Sequence, residues 1–295
     1  MKQTIDDLNQ PVFWQHAWEK ARKSSKTEKR KIRDNKEVME FWNRFAPKYE
    51  KRHSPGNVDH RVQGVLDMFL QQQILNGETA VLDIGCGPGT HALPLAEICK
   101  SVTALDGAGE MCLELEKKVK EKNIGNIKVL HRMWEDVDIK KENMLKKFDL
   151  VLASMTTAVC DYETLDKMNQ ASRNNCCLIF WAQNSSNQAR KELWKILFQE
   201  EDPGYGAASV IYPFNLLFSL GYYPEMRYID SEWTYKEPVD EAIESLCRSF
   251  WLFTEITPYI KETITSYVQE KAENNIFSQK TKARLGVVTW SVNAG

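Results

Sequence analysis

The sequence predicts an α/β fold, a doubly wound and mostly parallel sheet. Two observations lead to this prediction. Short apolar runs alternate with helical segments between residues 59 and 181, a pattern typical of parallel sheets with right-handed crossovers. The first run, Val81–Ile84, leads directly into a turn with glycines at 85, 87 and 89. Glycines at alternate positions allow positive φ and close approach of a ligand, so we expect a binding site at this turn.

Length and composition are those of an ordinary globular chain. The 295 residues are 42% hydrophobic and 27% charged, with a net charge of −2, which provides no global attraction to nucleic acid or anionic membranes. No apolar run approaches the ~20 residues that span a bilayer, and the first residues do not resemble a signal peptide. We therefore expect a cytoplasmic protein. Seven cysteines without C-x-x-C spacing indicate reduced thiols rather than disulfides or a structural metal.

We expect residues 1–58 to form a helical segment that precedes the core. An apolar patch begins at Phe13–Trp18, and apolar residues recur at helical spacing between 38 and 49. Residues 53–57 contain Ser, Pro, Gly and Asn, which end the helix. Residues 19–33 hold eight Lys or Arg against two Glu. Such a basic run is more often a solvated helix face than a grip for RNA phosphates.

The core domain is expected over residues 59–295. It should begin with a helix over 59–75, followed by four βα units and a fifth strand at 176–181. Two later strands are predicted at 226–235 and 283–292. The first four strands are Val81–Ile84, Ser101–Asp106, Ile127–Leu130 and Phe148–Ser154.

Residues 238–276, between the two later strands, predict two helices. Their apolar residues recur at helical spacing. An excursion of this length exceeds an ordinary loop. We therefore expect a helical cap insertion that covers the substrate pocket.

Two acids end strands of the predicted sheet. Asp83 lies just before the glycine turn, where its charge would repel phosphate but attract an ammonium or sulfonium group. Asp106 lies about 20 residues later, the spacing at which a strand-end carboxylate binds ribose hydroxyls in doubly wound folds. The last glycine gap is one residue shorter than in the dinucleotide fingerprint G-x-G-x-x-G. These residues predict a nucleoside-containing cofactor that carries positive charge.

The segment Asp83–Thr90, D-I-G-C-G-P-G-T, resembles the first motif of class I S-adenosylmethionine-dependent methyltransferases of the small-molecule type. Four elements follow the order of that family over residues 78–185. The resemblance implies seven strands with an antiparallel last strand, and S-adenosyl-L-methionine as cofactor. It also implies these cofactor-binding residues: Tyr49, Asp83, Gly85, Cys86, Gly87, Gly89, His91, Asp106, Gly107, Met111, Trp134, Glu135 and Ser154.

The predicted adenine site departs from the family pattern. Where many relatives have Asp-Ala, this chain has Met133 and Trp134. The adenine amino group then depends on Glu135, with the Trp134 backbone at a ring nitrogen, although Trp134 could equally be a core residue.

The side chains near the reactive methyl should follow strands four and five: Ser154, Thr156, Thr157, Asp161, Tyr162, Gln183 and Asn184. The candidates for a general base are His91, His131, Asp161 and Tyr162, and both histidines are more often structural. Because Ser154 and Gln183 do not supply the carboxylates of the catechol-type metal site, no metal is expected.

Three functions fit these residues. The leading hypothesis is methyl transfer from S-adenosylmethionine to an unidentified small molecule, by in-line displacement that depends on alignment and exclusion of water. One alternative is a tRNA or rRNA methyltransferase that uses the basic 19–33 arm, and another is a catalytically silent protein that binds S-adenosylmethionine. A monomer or homodimer is expected, with a small-molecule substrate and no membrane contact, and with a nucleic-acid partner only under the RNA alternative.

Overall fold

The computed structural model describes residues 8–52, 59–182, 186–204 and 209–293 and contains one sheet with helices on both faces. Its strands are β1 (Ala80–Ile84), β2 (Ser101–Asp106), β3 (Ile127–His131), β4 (Phe148–Ser154), β5 (Ser172–Trp181), β6 (Ser186–Asn187), β7 (Glu225–Pro238) and β8 (Ile276–Ser291). Its helices are α1 (Pro11–Ser24), α2 (Lys26–Arg30), α3 (Asn35–Arg52), α4 (Asp59–Gln71), α5 (Ala92–Ala96), α6 (Gly109–Glu121), α7 (Tyr162–Ala171), α8 (Gln188–Phe198), α9 (Ile211–Ser219), α10 (Val239–Trp251) and α11 (Pro258–Lys271).

The strand order is β3-β2-β1-β4-β5-β8-β6, and β7 pairs with β8. Strands β1 to β5 pair in parallel, whereas β8 is antiparallel to both β5 and β7. The predicted doubly wound sheet with an antiparallel last strand is confirmed. The described sheet has eight strands rather than seven, because the two-residue β6 pairs with β8. The order reverses between β1 and β4, and ligands of open α/β sheets bind at the carboxyl ends beside such a reversal.

The third predicted βα unit lacks its α-helix. After β3 the chain makes only a 3₁₀ turn at Trp134–Asp136. Burial then alternates along the chain: Val137 and Ile139 are buried, whereas Asp138 and Lys140 are exposed. Burial at every second residue is incompatible with the 3.6-residue period of an α-helix.

The strands bury side chains on both faces because helices cover both. Leu82 and Ile84 point into one apolar cluster, while Val81 points into the other. Trp18 of α1 is only 1% exposed and belongs to the first cluster. Helix α1 is therefore part of the folded core, although it precedes the first strand by more than 50 residues of chain.

The two predicted helices of the insertion are α10 and α11, which pack with α8 around Trp194. The insertion also contacts the N-terminal segment. The ring of Phe41 in α3 stacks on Trp251 at 6.4 Å between centroids, and the Arg33 guanidinium lies 4.2 Å from the centre of Trp251. The division into residues 1–58 and 59–295 stays a prediction. Among the described helices, none has the length and apolar character needed to cross a membrane.

Candidate functional site

The glycine turn lies at the carboxyl end of β1, beside the end of β4. Gly85, Gly87 and Gly89 all have positive φ, at 67°, 53° and 92°. A Cβ on Gly85 would lie 2.2 Å from Oγ1 of Thr156, so this position requires glycine for both its conformation and its space. The backbone N–H groups of Gly85 and Cys86 donate to the Leu105 carbonyl at 2.7 and 3.1 Å. The turn is thereby fixed against the end of β2.

Asp83 is a buried carboxyl group directly beneath this turn. Its side chain is 1% exposed, and its Oδ2 has no hydrogen-bond partner among the described residues. The Ala92 backbone N–H donates to the carboxylate. Burial, with the negative charge of Asp106 as a second cause, raises the pKa of Asp83 to about 7. Because an unsatisfied buried acceptor is costly, the site favours a ligand that brings a charged donor to Oδ2.

Asp106 ends β2 on the other side of the turn. Its Oδ2 accepts a hydrogen bond from the Gly87 backbone at 2.9 Å, and its Oδ1 accepts one from Ala108 at 2.8 Å. Burial raises the pKa of this carboxyl group, and these hydrogen bonds oppose the shift. A carboxylate has about four lone-pair sites, so Asp106 can hold the turn and still accept hydrogen bonds from a ligand.

Gly107, next to Asp106, is the point where α3 reaches the carboxyl edge of the sheet. A Cβ on Gly107 would lie 2.3 Å from Sδ of Met133 and 3.3 Å from Sδ of Met39 in α3. Asn43 of α3 accepts a hydrogen bond from the Glu110 backbone at 3.0 Å. The sequence gives no sign that Met39 lies here, since it is one of several apolar residues at helical spacing.

His91 and Ser154, both predicted near the cofactor, lie in direct contact. The His91 Nε2 is 2.9 Å from the Ser154 hydroxyl oxygen. The His91 Nδ1 is shielded from solvent and has no hydrogen-bond partner in the described part of the chain. Burial, with the positive charge of Arg61 as a second cause, lowers the pKa of His91 to about 4. The imidazole is therefore neutral near neutral pH.

Two other predicted cofactor residues are buried in the protein. The Cys86 thiol lies 3.4 Å from the Gly87 carbonyl, and burial raises its pKa well above the usual range. Met111 packs with Ala46 of α3 and Ala108. Tyr49 is also a predicted cofactor residue, but its side chain lies outside the described residues. The same is true of Gln183 and Asn184, which are predicted to lie near the methyl group.

At the predicted adenine site, the Trp134 indole belongs to the core. It is 1% exposed, and its Nε1 donates to the Thr164 carbonyl at 3.0 Å. The Glu135 side chain is exposed, and its backbone carbonyl accepts a hydrogen bond from Lys167 at 2.7 Å. Roles for the Trp134 backbone and the Glu135 carboxylate in adenine binding stay predictions.

The remaining base candidates differ in their surroundings. His131 is exposed, with Nε2 3.1 Å from the Gly107 carbonyl oxygen. Asp161 caps helix α7: its Oδ1 accepts hydrogen bonds from the backbone and the hydroxyl of Thr164. Tyr162 packs partly buried against the core. Within the described ranges, no group of three or more His, Cys, Asp or Glu side chains could hold a metal ion.

Parts of the chain are similar to methyltransferases. Residues 81–175 match the model of a methyltransferase domain. An uncharacterized protein of Haemophilus influenzae is 27% identical over 231 residues, which cover 76% of this chain and 81% of the relative. Ribosomal RNA small subunit methyltransferase G of Lactobacillus johnsonii is 30% identical over 94 residues, 31% of this chain and 39% of that protein.

A solved structure shares the fold. It is a magnesium protoporphyrin IX methyltransferase from Synechocystis with bound SAH, and it aligns with a TM-score of 0.52 at 16% identity. The alignment covers 85% of this chain and 99% of the other. At this identity the likeness is one of fold.

Proposed function

We propose that this chain is a class I S-adenosylmethionine-dependent methyltransferase and that it transfers the methyl group of S-adenosylmethionine to a small molecule. One observation carries the assignment of the site. The buried Asp83 keeps an oxygen beneath the glycine turn that has no hydrogen-bond partner among the described residues, and Asp106 lies close enough to raise the pKa of Asp83. Two carboxyl groups at one turn repel phosphate and favour a cation.

The residues at the turn fit S-adenosylmethionine. Its ammonium group matches the unpartnered Oδ2 of Asp83, because a charged donor there would satisfy a buried acceptor. Its ribose hydroxyls match the remaining lone pairs of Asp106. A Cβ on Gly87 would meet no atom of the described residues within 4 Å, which supports a ligand position beside this part of the turn.

The protein's part in the reaction is orientation and shielding. Bound S-adenosylmethionine supplies a methyl group on a positively charged sulfur, which is already an activated leaving group. Asp83 would orient the ammonium group of this molecule and Asp106 its ribose, so that the methyl group is held for in-line attack in a site that excludes water. Asp161 is engaged as a helix cap, so it is a poor choice for a general base.

A small acceptor is supported by the surroundings of the basic run at 19–33. Among the described residues, five of its eight Lys and Arg side chains form ion pairs, and these pairs lower the positive charge available to an RNA backbone. The pairs are Lys23–Glu19, Arg22–Asp161, Arg30–Glu200, Lys31–Glu28 and Arg33–Glu255.

Contacts between α3 and the insertion also support a small acceptor. Helix α3 contacts Gly107 through Met39, and two residues later Phe41 stacks on Trp251 of α10. The Arg33 side chain donates to the Trp251 carbonyl at 3.1 Å. We infer that α3 and the insertion together form a cap over the cofactor edge, which limits the size of the acceptor.

Titration calorimetry tests the cofactor site. S-adenosylmethionine should bind the wild type, and Asp106→Ala should weaken binding by at least ~1.5 kcal/mol, the scale of hydrogen bonds to a charged group. Asp67→Ala is the matched control, because Asp67 is an exposed residue of α4 that accepts only from nearby Gln63 in its described contacts. Unchanged affinity in a folded Asp106→Ala protein would contradict the ribose assignment.

Label transfer tests the class of acceptor. The protein is incubated with S-adenosylmethionine that is radiolabelled on the methyl group and, separately, with the low-molecular-weight filtrate of a cell extract or with its purified RNA. We expect label in the filtrate. Salt-dependent transfer to RNA would instead support an RNA methyltransferase, and binding without transfer to either fraction would support a silent binding protein.

A further inference from the structure

The contact between His91 and Ser154 joins two segments across the glycine turn. Ser154 is the last residue of β4, and His91 immediately precedes α5. In the sheet, Ile84 of β1 is paired with Ala153 of β4, so the glycine turn and Ser154 lie at the same level. This level is the carboxyl edge at which the strand order reverses, where ligands of such sheets bind.

The chain directly after Ser154 is held in a strained conformation. Met155 has a φ of 52°, which is rare for a residue with a side chain. Its backbone N–H donates to the Ile179 carbonyl at 2.9 Å. Thr156, the next residue, lies against Gly85 so closely that no Cβ fits between them. Strain of this kind persists only where the surroundings fix the backbone, and it is concentrated at functional sites.

The His91 imidazole is suited to fix this backbone rather than to exchange protons. Its pKa is lowered by burial and by Arg61, so the ring stays neutral and offers one donor and one acceptor nitrogen. The Nε2 is occupied by the Ser154 hydroxyl, and the Nδ1 is shielded from solvent. The Nε2 atom is therefore engaged with Ser154 and is not free to contact a substrate.

We propose that His91 is a positioning residue that holds the Ser154 hydroxyl and the following turn against the glycine turn, and so sets the wall beside the reactive methyl group. The proposal rests on the function proposed above for the methyl donor. It predicts that the loss of this contact misplaces the methyl group more than it weakens binding, because a displacement of about 1 Å can cost roughly 10²-fold in rate.

Two conservative variants separate the two ring nitrogens. The side-chain amide of Gln can place a nitrogen where the imidazole Nε2 lies, whereas the shorter Asn amide reaches only the position of Nδ1. His91→Gln should therefore keep the contact with Ser154, and His91→Asn should lose it. Ser154→Ala removes the same contact from the other side, and His16→Asn on the exposed face of α1 is the matched control.

The measurement is the NMR signal of S-adenosylmethionine labelled with ¹³C on its methyl group, bound to each variant. In His91→Asn and Ser154→Ala the bound methyl signal should move toward the free-ligand position, while the dissociation constant stays within about threefold of wild type. His91→Gln and His16→Asn should give the wild-type signal. The double variant of His91→Asn and Ser154→Ala should shift the signal no further than either single variant.

Rates provide the second readout. The assay uses radiolabelled S-adenosylmethionine and the filtrate of the cell extract described above. The rate of methyl transfer by His91→Asn should fall by roughly 10- to 100-fold, and His91→Gln should keep most of the wild-type rate. A methyl signal that is identical in all folded variants would overturn the proposed role of His91 and leave the proposed function intact. A parallel loss of affinity and rate would also overturn it, in favour of a binding residue. Absence of binding by the wild type would refute the proposed function, and this inference with it.

Discussion

Replacing Asp83 by Asn removes an acid whose ionisation opposes folding. The folded protein holds the Asp83 proton up to a pKa of about 7, against the ordinary value of 3.8. As pH rises from 4 to 7, the unfolded chain loses this proton first, so the unfolded state gains stability relative to the folded one. The shift is about 3 units at roughly 1.4 kcal/mol each, so the penalty reaches roughly 4 kcal/mol above pH 7.

His91 acts in the opposite direction over nearly the same range. Its folded pKa of about 4 lies below the ordinary 6.5, so the unfolded chain takes up a proton first as pH falls from 6.5 to 4. Stability is then lost toward low pH, by roughly 3 kcal/mol. In the wild type these two contributions largely cancel between pH 4 and 6.5. The pH dependence of the wild type alone therefore conceals both groups.

The difference between Asp83→Asn and wild type isolates the acid. Urea unfolding is followed by tryptophan fluorescence at pH 4.5, 5.5, 6.5 and 7.5, and the free energies of unfolding are subtracted at each pH. The variant should gain roughly 3 kcal/mol relative to wild type from the lowest to the highest pH, because about 1 kcal/mol of the penalty is already present at pH 4.5.

Asp149→Asn is the matched control for this experiment. Hydrogen bonds from Arg173 are the largest cause that lowers the pKa of Asp149, so this carboxyl group is ionised throughout the range. Its variant should differ from wild type by a constant free energy. If the Asp83→Asn difference is also constant with pH, Asp83 titrates normally and the argument from its unpartnered oxygen is refuted.

Further predictions concern the turn, the N-terminal segment, the basic run and the cofactor. Gly85→Ala should lower the free energy of unfolding by roughly 2–4 kcal/mol, whereas Gly77→Ala, which meets no atom within 4 Å, should change it little in the same urea titration. Arg33→Met should cost roughly 1–3 kcal/mol through its lost contacts with Trp251, and exposed Arg44→Met much less; equal losses would show that these contacts do not stabilise the protein. Lys20, Lys26 and Lys29 are exposed lysines of the basic run. In filter binding at low and moderate salt, the affinity for tRNA should be weak and should not change when these lysines are replaced by Glu. A strong loss of affinity would favour the RNA function. Calorimetry in buffers of different ionisation enthalpy at pH 7 should show proton release when S-adenosylmethionine binds the wild type but not Asp83→Asn, because the ammonium group favours the ionised acid.

The parallel part of the sheet could be predicted because its signals are local. Strands β2 and β4 begin and end at the predicted residues, since each is a short apolar run buried on both faces. Strand β5 instead begins at Ser172, four residues before the predicted Cys176. The polar residues at its start carry no apolar pattern. They are held by long-range contacts, such as the ion pair of Arg173 with Asp149 at 2.6 Å.

Strand β8 shows a second limit of apolar patterning. It begins at Ile276 rather than at the predicted residue 283, and alternate side chains are buried along its first half. Two of these buried side chains, Gln279 and Thr281, are polar. Every second residue is therefore buried, but the sequence does not show the alternation of apolar and polar residues that would predict a strand. Pairing along the whole length of β7 holds this part of the strand.

The residues of the candidate site also divide into those that local sequence signals predict and those that only long-range contacts bring together. The positions of Asp83 and Asp106 in the fold could be predicted from sequence, because a strand end and a fixed spacing place them at one edge of a parallel sheet, while their roles in cofactor binding stay predictions. The contact of His91 with Ser154 joins residues 63 positions apart, and that of Arg33 with the Trp251 carbonyl joins residues 218 apart. Nothing local marks either pair. Since α3 contacts Gly107 through Met39 and Trp251 through Phe41, a helix that sequence predicts only as amphipathic connects the cofactor turn to the insertion.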